Sequence, residues 1–301
     1  MGDAFAEGKY HTLSDETTWQ DEAGLERPWS ARGGSEGLVD IRTQRELVAL
    51  TNEFYRSHAD TFSATRRSAW RGWLRCARLI DDAVPDGSLS ILDVGCGNLR
   101  FESFLRDALP ARALAFHTVD DCPALPPDDL GSTGVSHHEA DVIAPLLGGA
   151  DPLKGLDLPS CDVTVCFGLM HHVPDSRCRA QLLGSLVEAL APDGLAIVSL
   201  WRFMDVPGLA AKAAEALARA RDDEAVSPSL RSQLPALAGS GDYLLGWQNE
   251  PSAWRYCHSF SDADIDGLVA SVACMATVEE RFRADGRDGR ANEYLALRRL
   301  P

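Results

Sequence analysis

The sequence predicts an α/β fold. The expected core is a Rossmann-like, doubly wound, mostly parallel seven-stranded sheet with an antiparallel terminal hairpin and N-terminal helical additions. Three observations carry this expectation. Apolar runs alternate with helical periods from about residue 90 to 200, the pattern of right-handed βαβ crossovers. One run, Ser90–Val94 (SILDV), leads into the turn Gly95-Cys96-Gly97-Asn98 and then into a helical face of Phe101, Phe104, Leu105 and Ala108. Late in the chain, runs near Thr277–Arg283 and Asn292–Leu297 flank ADGRDGR, which has hairpin chemistry.

Residues 1–42 read as an acidic, loosely ordered extension, because the first 40 residues carry nine acids against three bases and show no apolar period. Residues 43–85 hold two helices expected to cap the active site. Leu47, Leu50, Thr51 and Phe54 recur at helical spacing, as do Trp70, Trp73, Leu74, Ala77 and Ile80, with HADTFSATRRS between them. Residues 86–301 form the main domain. After SILDV come strands at Leu114–Val119, Val135–Ala140, Asp162–Phe167 and Leu195–Leu200, the last preceded by a Pro192-Asp193-Gly194 turn. A helical insertion near 205–265 comprises an Ala-rich helix at Pro207–Arg221, a polar stretch near 222–242, and a helix at Asp262–Val272 capped by Ser261.

Bulk properties narrow the function. A 301-residue chain with 45% hydrophobic residues buries an ordinary globular core, while a net charge of −16 weakens non-specific attraction to nucleic acid and anionic membrane. No apolar run reaches the length of a membrane span, and the N-terminus lacks the apolar stretch of a secretory signal. The expectation is therefore a cytoplasmic location and no membrane partner. Eight cysteines without a CxxC pair are expected to be reduced thiols packed as small hydrophobes, with no metal bound.

Ligands of open α/β sheets bind beyond the carboxyl ends of the strands. A glycine turn there lets a ligand approach the backbone, and the helix that follows offers free N–H groups to a carboxylate. Asp120 ends the second strand, where a carboxylate can accept ribose hydroxyls, with Asp121 as close competitor. Asp141 follows the third strand and can accept an adenine amino group. Arg100 stands where a third glycine would complete a dinucleotide fingerprint, which disfavours a nucleotide-sugar or NAD enzyme. The segment Phe167-Gly168-Leu169-Met170-His171-His172 follows the fourth strand, and the sequence does not order its two histidines.

The run LDVGCGN, the acid after the second strand and FGLMHH resemble class I S-adenosylmethionine-dependent methyltransferases of the methyltransferase-11 group. Asn52-Glu53-Phe54-Tyr55, then Phe62-Ser63-Ala64-Thr65-Arg66 and Trp70, and later Trp247 and Arg255-Tyr256-Cys257-His258-Ser259-Phe260, are similar to segments of the tRNA wobble-uridine carboxymethyl methyltransferases, over roughly residues 46–298. Leu99 stands where many members have glycine, and Cys257 where they have tyrosine.

The resemblance implies S-adenosylmethionine as cofactor, with Asp93, Gly95, Cys96, Gly97, Asn98, Asp120, Asp141, Val142, Phe167 and Gly168 around it. It implies an acceptor pocket of Arg66, His171, Arg255 and His258, and O-methylation of a carboxylate on a modified tRNA base or a small acid. Eukaryotic members of that family borrow a small zinc-binding activator subunit. A carboxylate is ionised at neutral pH, so its methylation needs positioning more than a base, and arginine can hold it in a bidentate fork. A methyltransferase for another small-molecule acceptor and a non-catalytic methyltransferase-like binding protein are the alternative readings.

Overall fold

The computed structural model describes residues 18–20, 26–28, 39–65, 68–84, 87–122, 134–247, 250 and 252–301. The chain divides into two compact units, residues 1–38 and Val39–Pro301. In the first, strands β1 (Thr18–Gln20) and β2 (Glu26–Pro28) pair antiparallel. The remainder of the expected loose extension up to residue 38 lies outside the described residues.

The second unit opens with helix α1 (Ile41–Ala64), whose first N–H groups, from Arg42 and Thr43, are taken by the Asp40 side chain. It buries Leu47, Val48, Thr51 and Phe54, spaced for one helical face. The sequence assigns His58–Ala64 to a connection, but α1 runs through it. Ala59 is buried, His58 stacks on Phe54, and Phe62 meets Phe54 and Tyr55 edge-on, so the packed face continues past the apolar period. Helix α2 (Trp73–Ala83) buries Trp73, Cys76, Ala77 and Ile80.

The βα alternation follows: β3 (Leu89–Val94), α3 (Arg100–Ala108), β4 (Leu114–Asp120), β5 (Val135–Glu139), a short α4 (Ile143–Leu147), β6 (Cys161–Cys166), α5 (Ser176–Glu188) and β7 (Leu190–Trp201). Strand β7 absorbs the expected Pro192-Asp193-Gly194 turn as a local kink with Asp193 at φ 61°. The insertion holds α6 (Pro207–Asp222), α7 (Pro228–Gly239), β8 (Asp242–Leu245), β9 (Arg255–His258) and α8 (Asp262–Ser271), with β8 and β9 forming a separate antiparallel hairpin. The stretch 222–242 is thus structured rather than merely polar. Ser227 caps α7, Pro228 starts it, and Leu230, Leu234 and Leu237 make a narrow buried stripe.

Strands β10 (Ala276–Ala284) and β11 (Asn292–Arg299) complete the main sheet in the order β10-β11-β7-β6-β3-β4-β5. The strands from β5 to β7 are parallel, while β11 and β10 add antiparallel at the β7 edge. Alternate residues of β3 serve opposite faces. Leu89 and Ile91 pack with Trp73, Ile80 and Leu105, while Leu92 and Val94 pack with Leu182, Leu183 and Leu186. A third apolar cluster joins α6, α7, β8 and β9 through Leu230, Leu234, Leu244 and Tyr256. Buried Arg202, just past β7, ion-pairs with Asp205, Asp262 and Glu293 at 2.6–2.9 Å and so ties α8 to β11. Among the described residues no helix is long and apolar enough to cross a membrane.

If α7 is an integral part of the fold, Leu234→Ala should cost about 2–5 kcal/mol. Exposed Ser232→Ala should cost less than about 0.5 kcal/mol. Urea unfolding of the two variants beside the parent checks both.

Candidate active site

The strand order reverses between β3 and β6, and a cavity of about 450 Å³ opens at the carboxyl ends of the parallel strands. Every residue predicted to surround a cofactor borders it, namely Asp93, Gly95, Cys96, Gly97, Asn98, Asp120, Asp141, Val142, Phe167 and Gly168. His171 and Arg255 border it too. So do Tyr55 and Phe62 of α1 and Trp73 of α2. Arg66 lies outside the described residues.

The turn after β3 is built for close approach. Gly95 sits at φ 80°, and a Cβ there would stand 2.9 Å from the Leu169 Cβ. Gly97 sits at φ 55°, and nothing would lie within 4 Å of its Cβ, so its backbone faces open space. The Gly97 N–H donates to one Asp120 oxygen and the Cys122 N–H to the other, both at 2.9 Å. Asp120 therefore braces the turn against the end of β4. Burial raises its pKa against those two hydrogen bonds. Asp121 stands at the mouth, where partial desolvation and the Asp141 and Asp120 carboxylates push its pKa up to about 6. Asp141 gives one oxygen to the N–H groups of Ile143 and Ala144 at the head of α4, at 2.8 and 3.0 Å. Leu99 adopts φ 56°, a left-handed conformation costing roughly 1–2 kcal/mol for a residue with a Cβ, and its side chain is buried.

The fit to a nucleoside with an amino-acid tail rests on this geometry: an open glycine backbone at a helix start, with acids spaced along successive strand ends.

One imidazole orders the part of the cavity wall near Tyr55 and Arg255. Buried His172 has its Nδ1 2.6 Å from the Tyr256 carbonyl, which can only accept, so Nδ1 carries the proton. Nε2 lies 2.8 Å from the Tyr55 hydroxyl. His172 is a strut joining α1, the β6 loop and β9. His171 lies edge-on against Trp201 at the cavity wall. Among the described residues, His171, His172 and Cys257 form the group closest to a metal-ligand set, with one ligand atom each within 4.8 Å, yet both His172 nitrogens already hold protein partners.

Arg255 is buried and donates to the Gly246 carbonyl at 3.2 Å. Its guanidinium lies 4.9 Å from the Phe54 ring centre and 5.5 Å from that of Trp247. Among the described residues it makes no salt bridge to a carboxylate. His258 departs from expectation: it does not border the cavity. Its Nδ1 lies 2.7 Å from Asp242 Oδ1, the oxygen that also accepts from the Tyr256 hydroxyl, and its Nε2 faces Asp264 at 3.6 Å. It is buried where the β8–β9 hairpin meets α8, because two carboxylates draw it inward.

Sequence reasoning also missed the far wall, made by Asp285, Gly286, Ala291 and Asn292 at the terminal hairpin. Asp285, at φ 65°, accepts from the Gly72 N–H, Asn292 and the Tyr294 hydroxyl at 2.6–2.9 Å. In the sequence, its only sign is an Asp-Gly step that also reads as a plain turn.

Beneath the turn, Asp93 and Glu102 form a buried carboxyl pair. Neither Glu102 oxygen nor Asp93 Oδ1 has a hydrogen-bond donor among the described residues. A proton held between the two carboxyls pairs one oxygen of each. Burial first, and the Glu102 charge second, hold Asp93 well above the usual carboxylate range, and burial pushes Glu102 up to about 7. A raised folded-state pKa gives stability that is complete below the ordinary value of 4.5 and lost as pH rises through about 7. Melting temperature should fall across that window in the parent protein, following a stability loss of at most about 2.8 kcal/mol per pH unit because both carboxyls keep protons that the unfolded chain releases, and should fall less steeply in Glu102→Gln. Thermal melts over a pH series check this.

A family model described as a methyltransferase domain matches residues 65–262. The tRNA (carboxymethyluridine(34)-5-O)-methyltransferase of Mus musculus is 26% identical over 153 residues, a match covering 50% of this chain and 19% of that protein. The 1,6-didemethyltoxoflavin-N1-methyltransferase of Burkholderia thailandensis, solved with its substrate and S-adenosylhomocysteine, superposes with a TM-score of 0.54 at 14% identity, covering 98% of this chain and 100% of that one. That likeness is one of fold. With the family model matching more than half of the chain and the sheet order described above, the protein belongs to the methyltransferase domain family and has the class I methyltransferase fold.

Proposed function

We propose that the protein methylates a carboxylate oxygen of a small organic acid. Arg255 carries this reading. It is a buried guanidinium against two aromatic rings, bordering the cavity and lacking a carboxylate partner among the described residues. A buried cation without a counter-charge is costly, and a carboxylate on the acceptor relieves that cost while being oriented by it.

In this reading the N–H groups at the head of α3 receive the cofactor's carboxylate end, and Asp121 accepts the ribose hydroxyls while Asp120 holds the turn. Asp141 and Val142 border the adenine, and Phe167 and Gly168 floor the reacting centre. Residues 43–85, with α1 and α2, cap the site and exclude water. Bound S-adenosylmethionine supplies an electrophilic methyl group. The protein's task is then to align an oxygen that is already ionised, with Arg255 holding the acceptor and His171 beside it. No general base is required.

A modified wobble uridine bearing a carboxymethyl group is the second reading, favoured by the mouse relative. The net charge of −16 favours the small acid, since phosphate contacts supply much of an enzyme's affinity for RNA.

Incubation with methyl-labelled cofactor and either a panel of carboxylic acids or total tRNA separates the two. Label released by mild alkali marks an ester, whereas alkali-stable label on every acceptor would sink the proposal. Arg255→Gln should lower kcat/KM roughly tenfold to a hundredfold while S-adenosylhomocysteine affinity stays within about twofold.

A further inference from the structure

We infer that Arg100 is the cationic anchor for the carboxylate of the cofactor's amino-acid tail. The inference rests on the cofactor assignment above and goes beyond it. Arg100 opens α3 directly after the glycine turn and borders the same cavity. Its guanidinium lies 5.8 Å from the Trp70 ring centre and 5.4 Å from that of Trp73. Nε donates to the Asn98 side chain at 3.2 Å, and one terminal nitrogen donates to the Ser68 carbonyl at 3.1 Å. These two bonds fix the plane of the fork but use only part of its five donors.

Among the described residues Arg100 has no carboxylate partner. Burial lowers its pKa, and the group acting against that burial is the Tyr294 phenol and not a carboxylate. An arginine held this way, beside a pair of stacked tryptophans and against a cavity, has a charge that no carboxylate among the described residues balances.

Two cations therefore border one cavity without acids of their own, and they stand on different walls. Arg255 belongs to the side of Phe54, Trp247 and Gly246, and Arg100 to the side of Asn98, Ser68, Trp70 and Trp73. A methyl transfer to a carboxylate brings two carboxylates into the site, one on the cofactor and one on the acceptor. The open backbone of Gly97 and the head of α3 lie beside Arg100, so its anion is the cofactor's. This also accounts for a long cationic side chain where a dinucleotide-binding turn would carry its third glycine.

Two ligands test the inference by calorimetry. S-adenosylhomocysteine carries the amino-acid tail, and 5′-methylthioadenosine is the matching nucleoside thioether without it. The parent protein should bind the first at least about tenfold more tightly than the second. Arg100→Gln should lose about tenfold or more in affinity for S-adenosylhomocysteine and change by less than about twofold for 5′-methylthioadenosine. Arg100→Lys should recover part of the preference, as it keeps the charge and loses the fork. Equal losses for both ligands would make Arg100 a structural tie between Ser68 and Asn98 and overturn the inference. A parent protein with no preference between the ligands would overturn it without any variant. A parent protein that binds neither ligand would instead remove the cofactor assignment, and this inference with it.

Discussion

A parallel sheet wound with right-handed crossovers must leave a crevice where its strand order reverses, because there the connecting chains depart to opposite faces. In this protein the reversal falls between β3 and β6. Most of the chemistry-bearing side chains described above lie at or near the carboxyl ends of β3, β4, β5 and β6. The glycine turn fills the crevice with backbone rather than side chains. Asp120 holds that turn by two backbone N–H groups, and the buried Asp93–Glu102 pair lies below it.

The other half of the site is assembled by contacts remote in sequence. His172 links the Tyr55 hydroxyl of α1 to the Tyr256 carbonyl of β9, and the Tyr256 N–H in turn donates to the Thr51 hydroxyl on α1. Asp285 ties the head of α2 to the terminal hairpin. The helices over the cavity are thereby held at two points by hydrogen-bonded polar groups. The charges that remain uncompensated by acids, Arg100 and Arg255, border the cavity. An acidic protein thus keeps two separate cationic points in a cavity that acids also line, which suits ligands whose anionic groups reach those points.

Much of this was legible in the sequence, for identifiable reasons. Parallel strands buried on both faces read as continuous apolar runs, so SILDV and LAIVSL stand out. Glycines at positive φ leave a pattern because few residues replace them. The insertion was harder to read. Leu230, Leu234 and Leu237 are a thin stripe in a polar segment, and the four-residue strands β8 and β9 carry Asp242, Arg255 and His258 inside, against the rule that charged residues face water. Adjacent histidines at 171 and 172 cannot be ordered from sequence, since their roles depend on Tyr55 and Tyr256, more than eighty residues away on either side of the fold. His258 resembled a pocket residue by its motif, but its position is set by Asp242 and Asp264, which no local pattern announces.

The antiparallel end of the sheet bears on how the chain matures. Strand β11 is the last of the seven in sequence, yet it lies between β7 and β10 rather than at a margin. During synthesis from the N-terminus, β7 therefore presents an unpaired, largely apolar edge throughout the production of α6, α7, the β8–β9 hairpin and α8. Nearly a hundred residues separate that edge from the strand that closes it. Such an edge is a template for adventitious pairing with other chains, so the nascent protein passes through a stage dependent on shielding, which ends only when β11 inserts.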